Sequence, residues 1–344
     1  VNAMREDDPG TMLAEQVGRL LAERSGAATL RAVERGEWPA ALWEALEGLG
    51  LPLLLVPEAM GGAGLGWRAA GPVFQALGRH GAPAPMGETI LAAALLAAAG
   101  IAPPPGPLSL TANGGERVPW GRHVRHVACC DGETVALCDA AGVTWAPGAN
   151  LAGEPRDSAP PGGVVRSAAP VPERFGGEAA AAALALLRAC QMAGALAAAL
   201  DLAVEHAGTR RQFGRPIGRF QAVQQQLAVL AGEAAAAQVA ADRACRAADR
   251  HGLAGAAFEI GCAKVVAGEA AGAGAAIAHQ VLGAIGFTEE HPLHHLTRRL
   301  WSWREEAGTE RFWAARIGRE VQAVGGAALW PFLTARDEDD DTTP

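Results

Sequence analysis

The chain has no tyrosine, and its aromatic residues amount to only 5% of the 344 positions. Half of the residues are nevertheless apolar, so a core large enough for two or three domains has to be packed from alanine and leucine. That balance excludes a disordered chain. A basic stripe is also missing: 29 Lys and Arg, dispersed among 37 Asp and Glu, leave a formal charge of −8. This argues against a nucleic acid or an anionic membrane surface and for a small molecule or another protein as partner. The six cysteines, Cys129, Cys130, Cys138, Cys190, Cys245 and Cys262, have no C-x-x-C spacing. A reducing, cytoplasmic compartment with structural thiols is the expectation. The most apolar windows, "ILAAALLAAAGIA" and "EAAAAALALLRAC", are interrupted by Gly100 and Arg188, short of the ~20 residues of a bilayer span. A soluble protein is expected. "VNAM" has no signal-peptide pattern and reads as an expression scar ahead of a start at Met4.

What is present is organised in three parts. From Gly10 to about Gly100 the spacing is helical, with Leu13, Val17, Leu20 and Leu21 on one stripe and Leu42, Leu46 and Leu49 on another. Pro57 and the glycines at 61, 62, 64 and 66 interrupt this with a turn-rich loop whose spacing does not match G-x-G-x-x-G. Beyond "APPPGPLS" short β-branched runs, "RHVRHVACC", "ETVALCD" and "GVTWAP", predict a small β domain to about Val171. Helix then returns from Glu178 to about Val324. Phe220, Val223, Leu227, Leu230 and Ala234 mark a bundle seam, and the alanine-rich flanks suit close helix packing. The predicted class is mostly α with a small β domain: a helical domain at 4–105, a β domain at 106–172, a four-helix bundle at 173–334 and a disordered acidic tail at 335–344.

Between two alanine-rich helices lies "TRRQFGRPIGRFQAVQQQLA", where Gly214, Pro216 and Gly218 enforce a corner. Arg210 offers a fork for phosphate, Phe213 a ring face, and Gln212 and Gln221 amides, a set suited to a dinucleotide. The plainer alternative is that the arginines cap a helix end and Phe213 plugs the corner.

This stretch resembles the R-x-Q-F-G-x-P-I-x-x-F-Q-x-V-Q-x-x-L-A signature of the acyl-CoA dehydrogenase family. "GLPLLLVPEAMGGAGLG" is similar to that family's V-P-E-x-x-G-G-x-G segment, and "HQVLGAIGF" to its Q-x-L-G-G-x-G-F segment. The resemblance covers both helical parts. It implies the family's three-domain fold, FAD as cofactor, an acyl-CoA substrate and electron-transfer flavoprotein as acceptor. It also implies that Arg210, Gln212 and Phe213 contact the dinucleotide with help from Gln221, and that Gln280 through Gly283 approach it from a neighbouring subunit. Thr309 matches a flavin position and Arg319 a substrate position.

The reaction removes an α-proton and a β-hydride, and a carboxylate must take the proton. By the resemblance, the usual base position holds Ala307 and the alternative one falls near Leu184. Glu306 is the nearest substitute, though "REE" also reads as a solvated charged face. The family's T-E-P-x-x-G-S-D stretch, which cradles the flavin ring, has no counterpart. The chain thus resembles the base-lacking subunit of an α2β2 enzyme. A homo-oligomer using Glu306 and a non-catalytic acyl-CoA-binding or scaffold protein are the alternatives. His291, His294 and His295 have no ligand pattern beside them and are expected at a surface or interface, with no metal. Trp301, Trp303 and Trp313 are expected to fill core or interface.

Overall fold

The first leucine stripe becomes α1 (Pro9–Arg24), with Val17 and Leu21 buried, and the second becomes α3 (Ala40–Glu47), with Leu42 and Leu46 buried. Between them lies α2 (Ala27–Glu34). The structure, a computed structural model, describes residues 9–112, 114–159 and 164–338. The Gly/Pro-rich loop contains only two short 3-10 turns, Leu51–Leu53 and Glu58–Met60, before α4 (Trp67–Arg79) and α5 (Met86–Ala98). Every residue of α5 from Met86 to Ala97 is buried, which is why its sequence is apolar on all sides.

The β part comprises β1 (Leu108–Thr111), β2 (Val118–Pro119), β3 (His126–Cys130), β4 (Thr134–Asp139), β5 (Arg156–Asp157) and β6 (Val164–Pro170). Four of these form one sheet in the order β1-β3-β4-β6, with β1 parallel to β3 and the other pairs antiparallel. "GVTWAP" makes no strand there: Ala146 has one isolated bridge to Ser158. Gly142, at φ +83°, turns the chain, and the ring of Trp145 packs onto Gly121, next to the small core around Trp120.

The C-terminal part consists of α6 (Ala179–Thr209), the hairpin strands β7 (Arg211–Gln212) and β8 (Arg215–Pro216), α7 (Gln221–Gly255), α8 (Ala257–Leu282), α9 (Leu293–Glu305), α10 (Glu310–Val324) and α11 (Gly326–Glu338). In the four-helix bundle α6, α7 and α8 pack on one another and α9 closes against α6 and α8. The acidic tail expected at 335–344 begins too early, because α11 continues to Glu338; residues 339–344 lie outside the described ones. By length and composition α6 and α8 do reach what a membrane span needs, contrary to the reading of the shorter windows. In α6, 78% of that apolar window is buried in the protein.

Two contacts fix the N-terminal helices on the bundle. A Cβ on Gly78 would lie 2.0 Å from the Gln191 carbonyl oxygen, and one on Gly194 would lie 1.9 Å from that of Gln75. Helices α4 and α6 therefore meet backbone to backbone, an approach only glycine permits. The Asp249 carboxylate of α7 accepts hydrogen bonds from the amides of Trp67 and Arg68, supplying the N-cap that Gly66 lacks.

Candidate active site and cofactor surface

The corner after α6 is a tight hairpin. Phe213 (φ +50°) and Gly214 (φ +82°) are its central residues, a turn that glycine accepts freely and phenylalanine only with strain. Phe213 is 90% exposed, touching Phe220 only edge-on at 6.1 Å, so it does not plug the corner. Arg215 lies over the Phe220 ring at 4.2 Å. Arg210 closes the last turn of α6 through its amide, which donates to the His206 carbonyl, while its side chain is exposed together with Gln212 and Gln221. The hairpin thus presents a strained, outward-facing ring among exposed amides and guanidiniums.

Gln280 and Gly283, at the end of α8, line a cavity of about 520 Å³ with His279, Phe287 and Trp301. His279 stacks on Phe287 at 4.2 Å and its Nε2 lies 2.9 Å from Thr297 Oγ1. Its buried Nδ1 has no partner among the described residues. That nitrogen packs towards Gly286, and the amide of Gln280 is exposed beside the cavity. The hairpin at Arg210 does not line this cavity. Within one chain the predicted cofactor residues thus fall at three places: the Arg210 hairpin, the cavity at Gln280 and Gly283, and Thr309 at the start of α10.

The third group surrounds a cavity of about 790 Å³ between the β part, α6 and the turn after α9. Leu184 and Ala307, the two positions that the resemblance marks for the base, both line it. Neither can take a proton. Ala307 has φ +55°, and its carbonyl accepts from Trp313 Nε1 at 2.9 Å. The fully buried Lys264 donates from Nζ to the carbonyls of Arg304 (2.7 Å) and Gly308 (2.8 Å), fixing the turn from both sides. Burial lowers its pKa to about 8, partly opposed by the nearby Glu310.

Glu306 is not part of a solvated face. Arg156 grips its carboxylate with Nε on Oε1 (2.8 Å) and Nη2 on Oε2 (2.9 Å), Arg188 adds Nε on Oε2 (2.8 Å), and Asn150 donates to Oε1 (2.9 Å). The pairing continues on both sides: Arg188 Nη2 donates to Glu88 (2.6 Å), Arg156 Nη2 to Glu154 (3.0 Å), and Arg299 stands 3.3 Å from Glu154. Burial alone would raise the Glu306 pKa, but the two guanidiniums outweigh it and bring the carboxyl down to about 2. A base for a weakly acidic carbon needs the opposite shift. Arg156, Arg188 and Asn150 escaped the sequence reading, yet one signal was visible: Arg188 is a lone charge in the apolar run of α6, where a buried cation requires a partner.

The remaining predicted residues lie apart. The Thr309 Oγ1 caps α10, accepting from the Phe312 amide at 3.3 Å, and sits next to the cavity-lining Gly308. Arg319 is exposed on α10 and lines neither cavity. His295 is buried 3.4 Å from Glu34, unlike the surface position expected for it. Trp303 and Trp313 fill core, whereas Trp301 is 43% exposed between the two cavities.

The same sequence matches the acyl-CoA dehydrogenase N-terminal domain over residues 8–102 and the acyl-CoA dehydrogenase C-terminal domain over residues 176–322. The chain belongs to the acyl-CoA dehydrogenase family, a family of flavoproteins. It is 33% identical over 310 residues to acyl-CoA dehydrogenase IpdE2 of Mycobacterium tuberculosis, covering 84% of this chain and 89% of that one. Its fold matches a chain of the ChsE4-ChsE5 complex of Mycobacterium tuberculosis with a TM-score of 0.79 at 22% identity, over 93% of this chain and 98% of the other. A chain of the Tcur3481-Tcur3483 steroid ACAD superposes with a TM-score of 0.78 at 27% identity, over 92% and 98%.

Proposed function

We propose that the chain is one subunit of an FAD-dependent acyl-CoA dehydrogenase whose base and flavin-ring cradle belong to a different polypeptide. The observation that carries this reading is the cavity at Ala307 and Leu184: both base positions meet in it, both are apolar, and the adjacent Glu306 is saturated by Arg156 and Arg188. In support, the steroid ACAD that is 27% identical to this chain carries a double name, Tcur3481-Tcur3483.

In this reading Arg210, Gln212 and Phe213 hold the pyrophosphate and adenosine of FAD, with Gln221 beside them. Gln280 and Gly283 serve the cofactor from across a subunit boundary, which accounts for their separation from the hairpin within one chain. FAD, when bound, supplies a two-electron acceptor for the β-hydride of an acyl thioester. The α-proton goes to a carboxylate of the partner. Thr309, next to the cavity-lining Gly308, serves the flavin, and Arg319 the substrate.

The visible spectrum and FAD content of the purified chain test this. Alone, it should be colourless or substoichiometric in flavin; co-expressed with an acyl-CoA dehydrogenase chain that carries the base, it should be yellow, and Arg210→Ala should lower the FAD retained. Full flavin content and acyl-CoA turnover by the chain alone, abolished by Glu306→Gln, would establish the self-sufficient homo-oligomer instead. Acyl-CoA binding without flavin in either preparation would favour the non-catalytic binding protein.

A further inference from the structure

The hairpin after α6 turns on two residues, Phe213 and Gly214, flanked by the cross-strand pair Gln212 and Arg215. Arg211 Nη2 donates to the Gly214 carbonyl at 3.3 Å, and the Ile217 amide donates to the Arg210 carbonyl at 2.8 Å. These bonds fix the backbone of the turn and leave the Phe213 ring to be held by something else. Arg215 is exposed, and its side chain makes no ion pair or hydrogen bond among the described residues. Its guanidinium lies instead over the Phe220 ring, 4.2 Å from the centroid. Phe220 in turn meets the Phe213 ring edge-on, at 6.1 Å and an interplanar angle of 87°. Guanidinium, inner ring and outer ring thus form one series, and the outermost member is the one that faces solvent.

We propose that Arg215 is a positioning residue for the cofactor: seated on the Phe220 ring, it holds the Phe213 ring outward to meet the dinucleotide, which it does not itself touch. This rests on the reading of the hairpin as an FAD surface, whose exposed guanidiniums and ring face suit phosphates and an adenine. A phenyl ring that is 90% exposed turns freely unless a neighbour restrains it, and ordering it on binding costs rotamer freedom. Phe220 restrains it by its edge contact, and a cation drawn to the face of Phe220 fixes the plane of that ring in turn. Arg210, at the base of the hairpin, keeps its exposed side chain for phosphate. Two arginines of equal charge therefore act differently: one binds and the other arranges.

FAD titrated into the apo form of the assembly with a base-carrying acyl-CoA dehydrogenase chain, followed by flavin fluorescence, checks this beside urea unfolding. Arg215→Ala should weaken FAD binding about three- to tenfold without moving the unfolding midpoint, since the side chain is exposed. Arg215→Lys, which keeps a cation for the ring, should recover most of the affinity. A double-variant cycle separates arrangement from direct contact: with Phe220→Leu the ring is gone, and adding Arg215→Ala should weaken binding no further. An equal loss in both backgrounds would mean that Arg215 meets the phosphates itself, and a loss matched by a lower midpoint would make it a structural residue; either overturns the inference. So does unchanged affinity in Arg215→Ala while Arg210→Ala binds FAD more weakly, a result that leaves the hairpin as the cofactor surface. If Arg210→Ala, Arg215→Ala and Phe213→Ala all bind FAD like the wild type, the cofactor reading and the inference fall together.

Discussion

At the scale of the residue, Glu306 is the most informative side chain. Its carboxyl lies at about 2 when folded, against an ordinary value of 4.5. Its contribution to stability is therefore complete above pH 4.5 and is lost as the pH falls from there through about 2. The shift corresponds to on the order of 3 kcal/mol. Urea unfolding at pH 6, 4 and 3 should show a weaker acid dependence in Glu306→Gln than in the wild type; parallel curves would mean that the guanidiniums do not hold the carboxylate in solution. Arg188→Met takes the guanidinium partner from the buried Glu88 and one of the two guanidiniums from Glu306, which keeps Arg156, and should cost about 3–5 kcal/mol by the same measurement. Arg188 and Glu306 are separated by more than a hundred positions. Arg188 was legible in the sequence as a charge out of place, but its partner was not, because pairing across that distance is settled only by how α6 meets the turn after α9.

The elements carry a different lesson. Periodicity located α1, α3 and α7, since a helix that buries one face must repeat its apolar residues every three or four positions. It failed at "GVTWAP", where β-branched and aromatic residues serve a loop that packs on Gly121. It said nothing of the contact between α4 and α6, which depends on two glycines whose neighbours are backbone atoms of another helix. Gly194→Ala should push those helices apart and destabilise the protein by about 1–3 kcal/mol; an unchanged urea midpoint would remove this contact as a determinant of domain docking. The hairpin at Phe213 separates fold from function. Asparagine tolerates positive φ better than phenylalanine, so Phe213→Asn should leave stability equal or raise it by up to about 1 kcal/mol. If the exposed ring serves the cofactor, the same variant should lose FAD from the co-expressed assembly on gel filtration. Loss of stability with FAD retained would instead make Phe213 a structural residue.

For the molecule as a whole, the order of parts, helical, β and helical, follows from composition and pattern, and the three family-like segments name the family before any coordinate. The site is less legible. The segments mark positions, and two of those marked for the base are apolar; the sequence alone leaves Glu306 as a substitute because it stands next to Ala307. Adjacency along the chain says nothing about the charges that converge from β5 and α6. Nor does it say that Gln280 and the Arg210 hairpin line no common cavity within one chain.

The sequence by itself determined the helical and β segments, the family and the absence of a carboxylate at Ala307 and Leu184, because these depend on residue type and local spacing. Only the tertiary structure decided what Glu306 is. A carboxylate's behaviour depends on the charges and solvent within a few ångströms of it, and here those come from Asn150, Arg156 and Arg188, which only the folded chain brings to its side.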